Sequence, residues 1–173
     1  MENRIEHLIA SLSEIFEGEP WYGDSVMKKL ENLPHSIGYK TCAPQSHSVS
    51  EIVGHLLAWK KFALEKLKGN DGYDIELNSE TDWPEISINT PKQWEELKRK
   101  LVSCQCGIYE QLREKGDDFL DEKVPRRKYN FDYLLYGLIQ HDIYHLGQIG
   151  LIQSQIKRND EYSKTLQITK RLD

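Results

Sequence analysis

His141 and His145 stand four residues apart in NFDYLLYGLIQHDIYHLGQIGLIQSQ, residues 130 to about 155. Four residues is about one turn of an α-helix, so the two imidazoles stack on one face and can converge on a single ion. The same face carries Leu134, Leu138, Ile149 and Ile152, with spacings of four, three, four, four and three along the six positions. Such a stripe points into a core. Gln148, two turns after His141, falls close to that face. A lone histidine on an apolar stripe is ordinarily a core residue with one ring nitrogen hydrogen-bonded, and the H-x-x-x-H spacing recurs by chance. A third ligand elsewhere in the chain decides between the two.

A third imidazole, His55, lies on another helix. Ser48 followed by Glu51 makes a capping box, Ile52, Leu56, Trp59, Ala63 and Leu67 form the apolar stripe, and Gly69 stands where a C-terminal cap belongs. His55 precedes Leu56 by one position and Trp59 by one turn, so Trp59 flanks whatever His55 touches. Three neutral imidazoles leave the double charge of an ion intact and keep coordination positions for water or substrate. Structural sites fill all four positions, commonly with cysteine; no cysteine is placed to close this one, and an open site is the inference.

The elements that must position these residues are helices. Residues 3 to 16 carry Ile5, Leu8, Ile9, Leu12 and Ile15 or Phe16 at helical spacing, with His7 on the polar side. GEPWYG, residues 18 to 23, breaks that helix, and a second piece over about 24 to 33 completes one bent arm. Residues 34 to 47 are loop by composition, which makes His35 and His47 surface loop residues. The polar connection 70 to 89 is as long as ordinary loops allow, and Trp83 is its candidate for packing back onto the helices. Thr90, Pro91 and Gln93 start a further helix with its seam at Trp94, Leu97, Leu101, Cys104, Ile108 and Leu112. A charged connection over 116 to 128 leads to the histidine-bearing helix, and the tail from about 157 is too short and polar to add a domain.

The 173 residues fit one domain, able to bury roughly 70% of its unfolded surface without a disulfide or metal. A net charge of −5 argues against a general nucleic-acid binder, and the basic run Arg126, Arg127, Lys128 reads as a solvated loop. Acidic residues stand where a signal peptide needs basic ones, and no run approaches a membrane span, so the expected location is the cytoplasm. Cys42, Cys104 and Cys106 are odd in number and fit no framework, which agrees with a reducing compartment.

SHSVSEIVGHLLAW (46 to 59) and IQHDIYHLGQI (139 to 149) resemble the two signature regions of the DinB-like superfamily, the damage-inducible, YfiT-type four-helix bundles of bacteria. GEPWYGDSV, the mid-chain DWP and the TPKQW helix start are similar to it as well, so the resemblance covers nearly the whole chain. It implies an all-α four-helix bundle over residues 1–173, with one divalent metal held near one end by His55, His141 and His145. Zinc or nickel comes first, then iron or manganese, since imidazole does not choose sharply among them. Several relatives are thiol-dependent S-transferases. The resemblance thus implies a bacillithiol-type reaction on a small-molecule substrate, with Trp59 and Gln148 lining the cavity or bonded around the ligands. Asp142, about 100° off the ligand face, is not favoured as a base. Two other readings stay open: a hydrolase using metal-bound water, and a non-catalytic, stress-related metal-binding protein. The expected partners are a substrate such as a low-molecular-weight thiol, no nucleic acid and no membrane; a homodimer is compatible.

The cysteines give the first test. Thiol titration under denaturing, non-reducing conditions should find Cys42, Cys104 and Cys106 all free. A Cys104–Cys106 disulfide would overturn the argument about the compartment.

Overall fold

The computed structural model describes residues 3–41 and 46–169, with side chains as far as residue 159. Cys42 lies outside the described residues. Among the described residues there are six α-helices, one short 3-10 turn and no strand, only an isolated bridge between Lys123 and Asn130.

Helix α1 (Arg4–Phe16) starts where the Asn3 side chain accepts the Glu6 N–H at 3.2 Å, and it buries Ile5, Leu8, Ile9, Leu12 and Phe16. After the glycine–proline break comes α2 (Val26–Glu31), shorter than the expected 24 to 33 because Ser25 takes the N-cap and Asn32 the C-cap. Residues 34 to 47 are not loop throughout. Pro34 caps a one-turn helix, α3 (His35–Gly38), which puts the half-buried His35 in a helix; four residues are too few to show a periodicity.

Helix α4 (Val49–Leu67) has its capping box complete: the Glu51 N–H donates to Ser48 Oγ at 3.3 Å and the Ser48 N–H to Glu51 Oε2 at 2.7 Å. It ends at Gly69, whose φ of +78° suits a residue without a Cβ. Helix α5 (Pro91–Arg113) repeats the device with Thr90 and Gln93, has proline in its first turn, and buries the whole seam from Trp94 to Leu112. Cys104 is buried on that seam and Cys106 is exposed.

Helix α6 (Phe131–Thr169) starts at Asn130, whose Oδ1 accepts the Tyr133 N–H at 3.0 Å, and it runs well past residue 155. The polar stretch beyond 155 continues the helix to Thr169, because neither glycine nor proline occurs between Leu151 and Thr169 and polarity alone does not end a helix.

Four of these helices form the bundle. Helix α4 packs on α5 and α6, and α1 packs on the same two. Its interior is divided. One apolar cluster joins α1, the second half of α4 from Ala58, the second half of α5 from Cys104, and α6 from Phe131 to Ile139. The other joins Phe16, α2, α4 from Val49 to Leu56, α5 from Trp94 to Leu101, and α6 from Ile149 to Ile156. Between them lie His55, Lys60, Gln105, Asp142 and His145, all buried.

Lys60 is the hub of this polar layer. Its Nζ donates to Asp142 Oδ2 at 2.6 Å and to Gln105 Oε1 at 2.7 Å, tying α4 to α6 and to α5. Burial pushes the Asp142 carboxyl up and Lys60 pulls it back down. Removing one member of such a pair strands the other, whereas replacing both with apolar groups is often harmless. In chelator-treated protein, Lys60→Met should cost about 3–5 kcal/mol in urea unfolding, and Lys60→Met with Asp142→Leu should recover most of it. A single variant costing less than about 1 kcal/mol would show that the pair is solvated rather than buried.

Candidate metal centre

Helix α4 presents His55 and helix α6 presents His141 and His145 into the space between the two apolar clusters. The three side chains meet: one ligand atom from each lies within 4.8 Å of the others. His141 Nε2 is 2.9 Å from His55 Nε2 and 3.0 Å from His145 Nε2. The group sits at the level of the polar layer rather than at one end of the bundle, because on both helices apolar blocks precede and follow the histidines.

The outer nitrogens fix the tautomers. His55 Nδ1 lies 2.8 Å from the Asp82 carbonyl and 3.0 Å from Asp82 Oδ1, both acceptors, so it carries the ring proton. His145 Nδ1 donates to Gln148 Oε1 at 2.7 Å. Both rings therefore turn a bare Nε2 lone pair towards His141. His141 Nε2 has at most one proton to offer them. Lone pairs facing one another repel, and a cation resolves that arrangement better than any set of protons.

Burial keeps the rings neutral. It lowers His55 against the opposing pull of Asp82. His141 is pushed down to about 3, first by burial and then by His145, His55 and Lys60. His145 falls to about 4, again chiefly by burial. A neutral imidazole is the form that ligates.

Asp82 is the functional residue that sequence reading did not single out. Besides His55 it accepts the Trp59 Nε1–H at 2.8 Å and the Asn78 N–H at 2.9 Å. It is delivered by the 70 to 89 connection, where Ser79 organises a turn: its carbonyl accepts the N–H groups of Asp82 and Trp83 at 3.1 and 2.8 Å. Gly54 lets this segment lie on α4, since a methyl there would stand 2.5 Å from Ile86 Cγ1. A carboxylate accepting from the outer nitrogen of a ligating histidine raises its basicity and holds its ring. The available signal was DWP inside a long polar loop.

Trp59 reaches the cluster through Asp82, and Gln148 directly through His145. Trp83 stacks on His55 at 3.9 Å between centroids and 8° between planes. His47 stacks on the same indole at 3.8 Å and 8°. Two parallel rings so close must take opposite faces, so Trp83 is held between the exposed His47 and the buried His55. His7 is exposed and far from the group in sequence and fold, on α1. Asp142 faces Lys60 within the polar layer and is 1% exposed, which removes it as a base for substrate.

In comparison with known proteins, the family model of the DinB superfamily matches residues 23–149, most of the chain and all three histidines. No curated protein and no solved structure matches it.

The histidines set an acid limb for the metal-free protein. Folded, they resist protonation down to about 4 for His145 and about 3 for His141. Unfolded, they take up protons near the ordinary value of about 6.5. The unfolded state thus binds more protons in between, and stability is full above that value and falls as pH drops through this window. Urea midpoints in chelator should show this fall, and His141→Ala should flatten it. An unchanged slope in the variant would assign the acid limb to carboxylates.

Proposed function

The chain belongs to the DinB superfamily, and we propose that it is a metal-dependent enzyme that activates a low-molecular-weight thiol, in the manner of a bacillithiol-type S-transferase. In this reading His55, His141 and His145 hold one divalent ion, zinc or nickel before iron or manganese. One observation carries it: the Nε2 atoms of the buried His55 and His145 lie within 3.0 Å of Nε2 of the half-buried His141, with the lone pairs of the first two fixed by outer hydrogen bonds.

The donor set suits an open site. It has three neutral ligands from two helices, and neither Cys104 nor Cys106 is near enough to join the group of potential ligands. Bound there, the ion supplies a Lewis acid that favours the thiolate over the thiol of an incoming donor. The chain's own residues orient and exclude. Asp82 and Gln148 keep the outer nitrogens protonated, Trp83 covers one face of His55, and the two apolar clusters bar water from behind.

Protein purified without a histidine tag should carry about one divalent ion per chain by elemental analysis, and His55→Ala, His141→Ala and His145→Ala should each lose most of it. Asp82→Ala should weaken retention by about 10- to 100-fold. With cobalt in the site, small thiols should add a sulfur-to-metal charge-transfer band, and an electrophilic co-substrate should be consumed faster than without metal. Full occupancy in all three histidine variants sinks the ligand assignment. A cobalt spectrum indifferent to every thiol sinks the transferase reading and leaves hydrolysis or simple metal binding.

A further inference from the structure

Beside the histidines opens a cavity of about 350 Å³, with His55, His141 and Asp82 at its polar end. The volume is in the range of sites for small organic ligands. The rest of its wall is Trp59, Leu77, Tyr129, Tyr133, Leu134 and Leu138, with Gly137 among them. Among the described residues no lysine or arginine lines it, and the carboxylate that does, Asp82, is already engaged by His55, Trp59 and Asn78. Leu77 and Tyr133 are 68% and 67% exposed, apolar surface that a ligand could cover.

Gly137 adds an independent observation. It sits inside α6, one turn before His141, where glycine costs about 1 kcal/mol relative to alanine. Its φ is not positive, and a Cβ there would meet no atom within 4 Å. Backbone geometry and packing no more ask for glycine here than at Gly147 and Gly150 of the same helix; what sets Gly137 apart is its place in the cavity wall, where the missing side chain leaves room.

Resting on the metal-centre reading above, we propose that this cavity binds the body of a neutral, apolar, ring-bearing molecule whose single donor atom reaches the histidine cluster. Polyanionic and polyhydroxylated ligands are excluded as occupants of this wall, since no cation and few fixed polar groups would replace their hydration. A hydrophilic thiol can still approach the ion, but the electrophile or thiol that fills the cavity is apolar.

The test uses the full chain, metal-free and cobalt-loaded, with four probes. They are the neutral dye N-phenyl-1-naphthylamine, 3-phenylpropane-1-thiol, and 2-mercaptoethanol with mercaptosuccinate as hydrophilic comparators. The variants are Gly137→Leu, which fills the cavity, and Gly147→Leu, an exposed position of the same helix where a Cβ is equally unopposed. The dye should brighten on binding with or without metal and be displaced by the phenyl thiol. On the cobalt form the phenyl thiol should bind at least about tenfold tighter than either hydrophilic thiol. Gly137→Leu should abolish dye binding and erase the phenyl advantage while keeping the cobalt spectrum; Gly147→Leu should match the parent. Equal affinities of the thiols, tightest binding by mercaptosuccinate, or dye binding indifferent to Gly137→Leu overturns the proposal. Failure to take up cobalt would instead count against the metal centre, with the dye still reporting on the cavity.

Discussion

Two bare imidazole nitrogens turned towards a third, inside a protein, form an arrangement that does not persist by itself. His55 and His145 each have the proton on the outer nitrogen, so their inner lone pairs face His141 across 2.9 and 3.0 Å. Burial removes the easy escape of protonation, as the depressed values for His141 and His145 show. The rest of the structure therefore has to hold the group together. Rings at this distance lose their registry if either helix slides by a fraction of a turn.

The holding is done at three ranges. Nearest, Asp82 and Gln148 fix each outer nitrogen, and Trp83 lies flat on His55. Next, Lys60 clamps α4 to α6 through Asp142, the residue immediately after His141, and to α5 through Gln105. Furthest out, apolar clusters above and below fix the helices on both sides of the polar layer. A buried ion pair is weak as a source of net stability. Here its place beside His141 gives it a geometric use: it sets the separation of the two helices that must meet at the histidines.

Much of this could be read from the sequence, because it depends on local patterns. The stripe from Leu134 to Ile152 and the capping boxes at Ser48 and Thr90 are short-range signals, and the helices stand where they place them. The convergence of His55 with His141 and His145 was available from the bundle arrangement and the resemblance together. What escaped depends on partners remote in the chain. Lys60 reads as a solvated lysine until Asp142, 82 residues away, is seen beside it. A signal did exist: Lys60 follows Leu56 by four and precedes Ala63 by three, so it occupies a seam position where a charge needs a buried partner. Asp82 had no such signal. Its role is created by the loop folding over Gly54, and loops carry no periodicity.

Charge links the proposed centre to the proposed cavity. The three imidazoles contribute none, and the Asp82 carboxylate contributes one negative charge. Lys60 and Asp142 cancel each other behind the cluster. A divalent ion among these groups would leave one positive charge facing walls of Trp59, Leu134 and Leu138. In such surroundings an uncompensated charge is expensive, so a donor that is itself a monoanion is favoured over a neutral one, and a dianion overshoots. The remainder of that donor meets no cation in the cavity and is best neutral. A thiolate head on an apolar body satisfies both conditions, and so does hydroxide with an apolar substrate lying beside it. The proposed thiol chemistry and its hydrolytic alternative therefore share an electrostatic requirement and differ in whether the cavity holds the nucleophile's own body or that of the molecule it attacks.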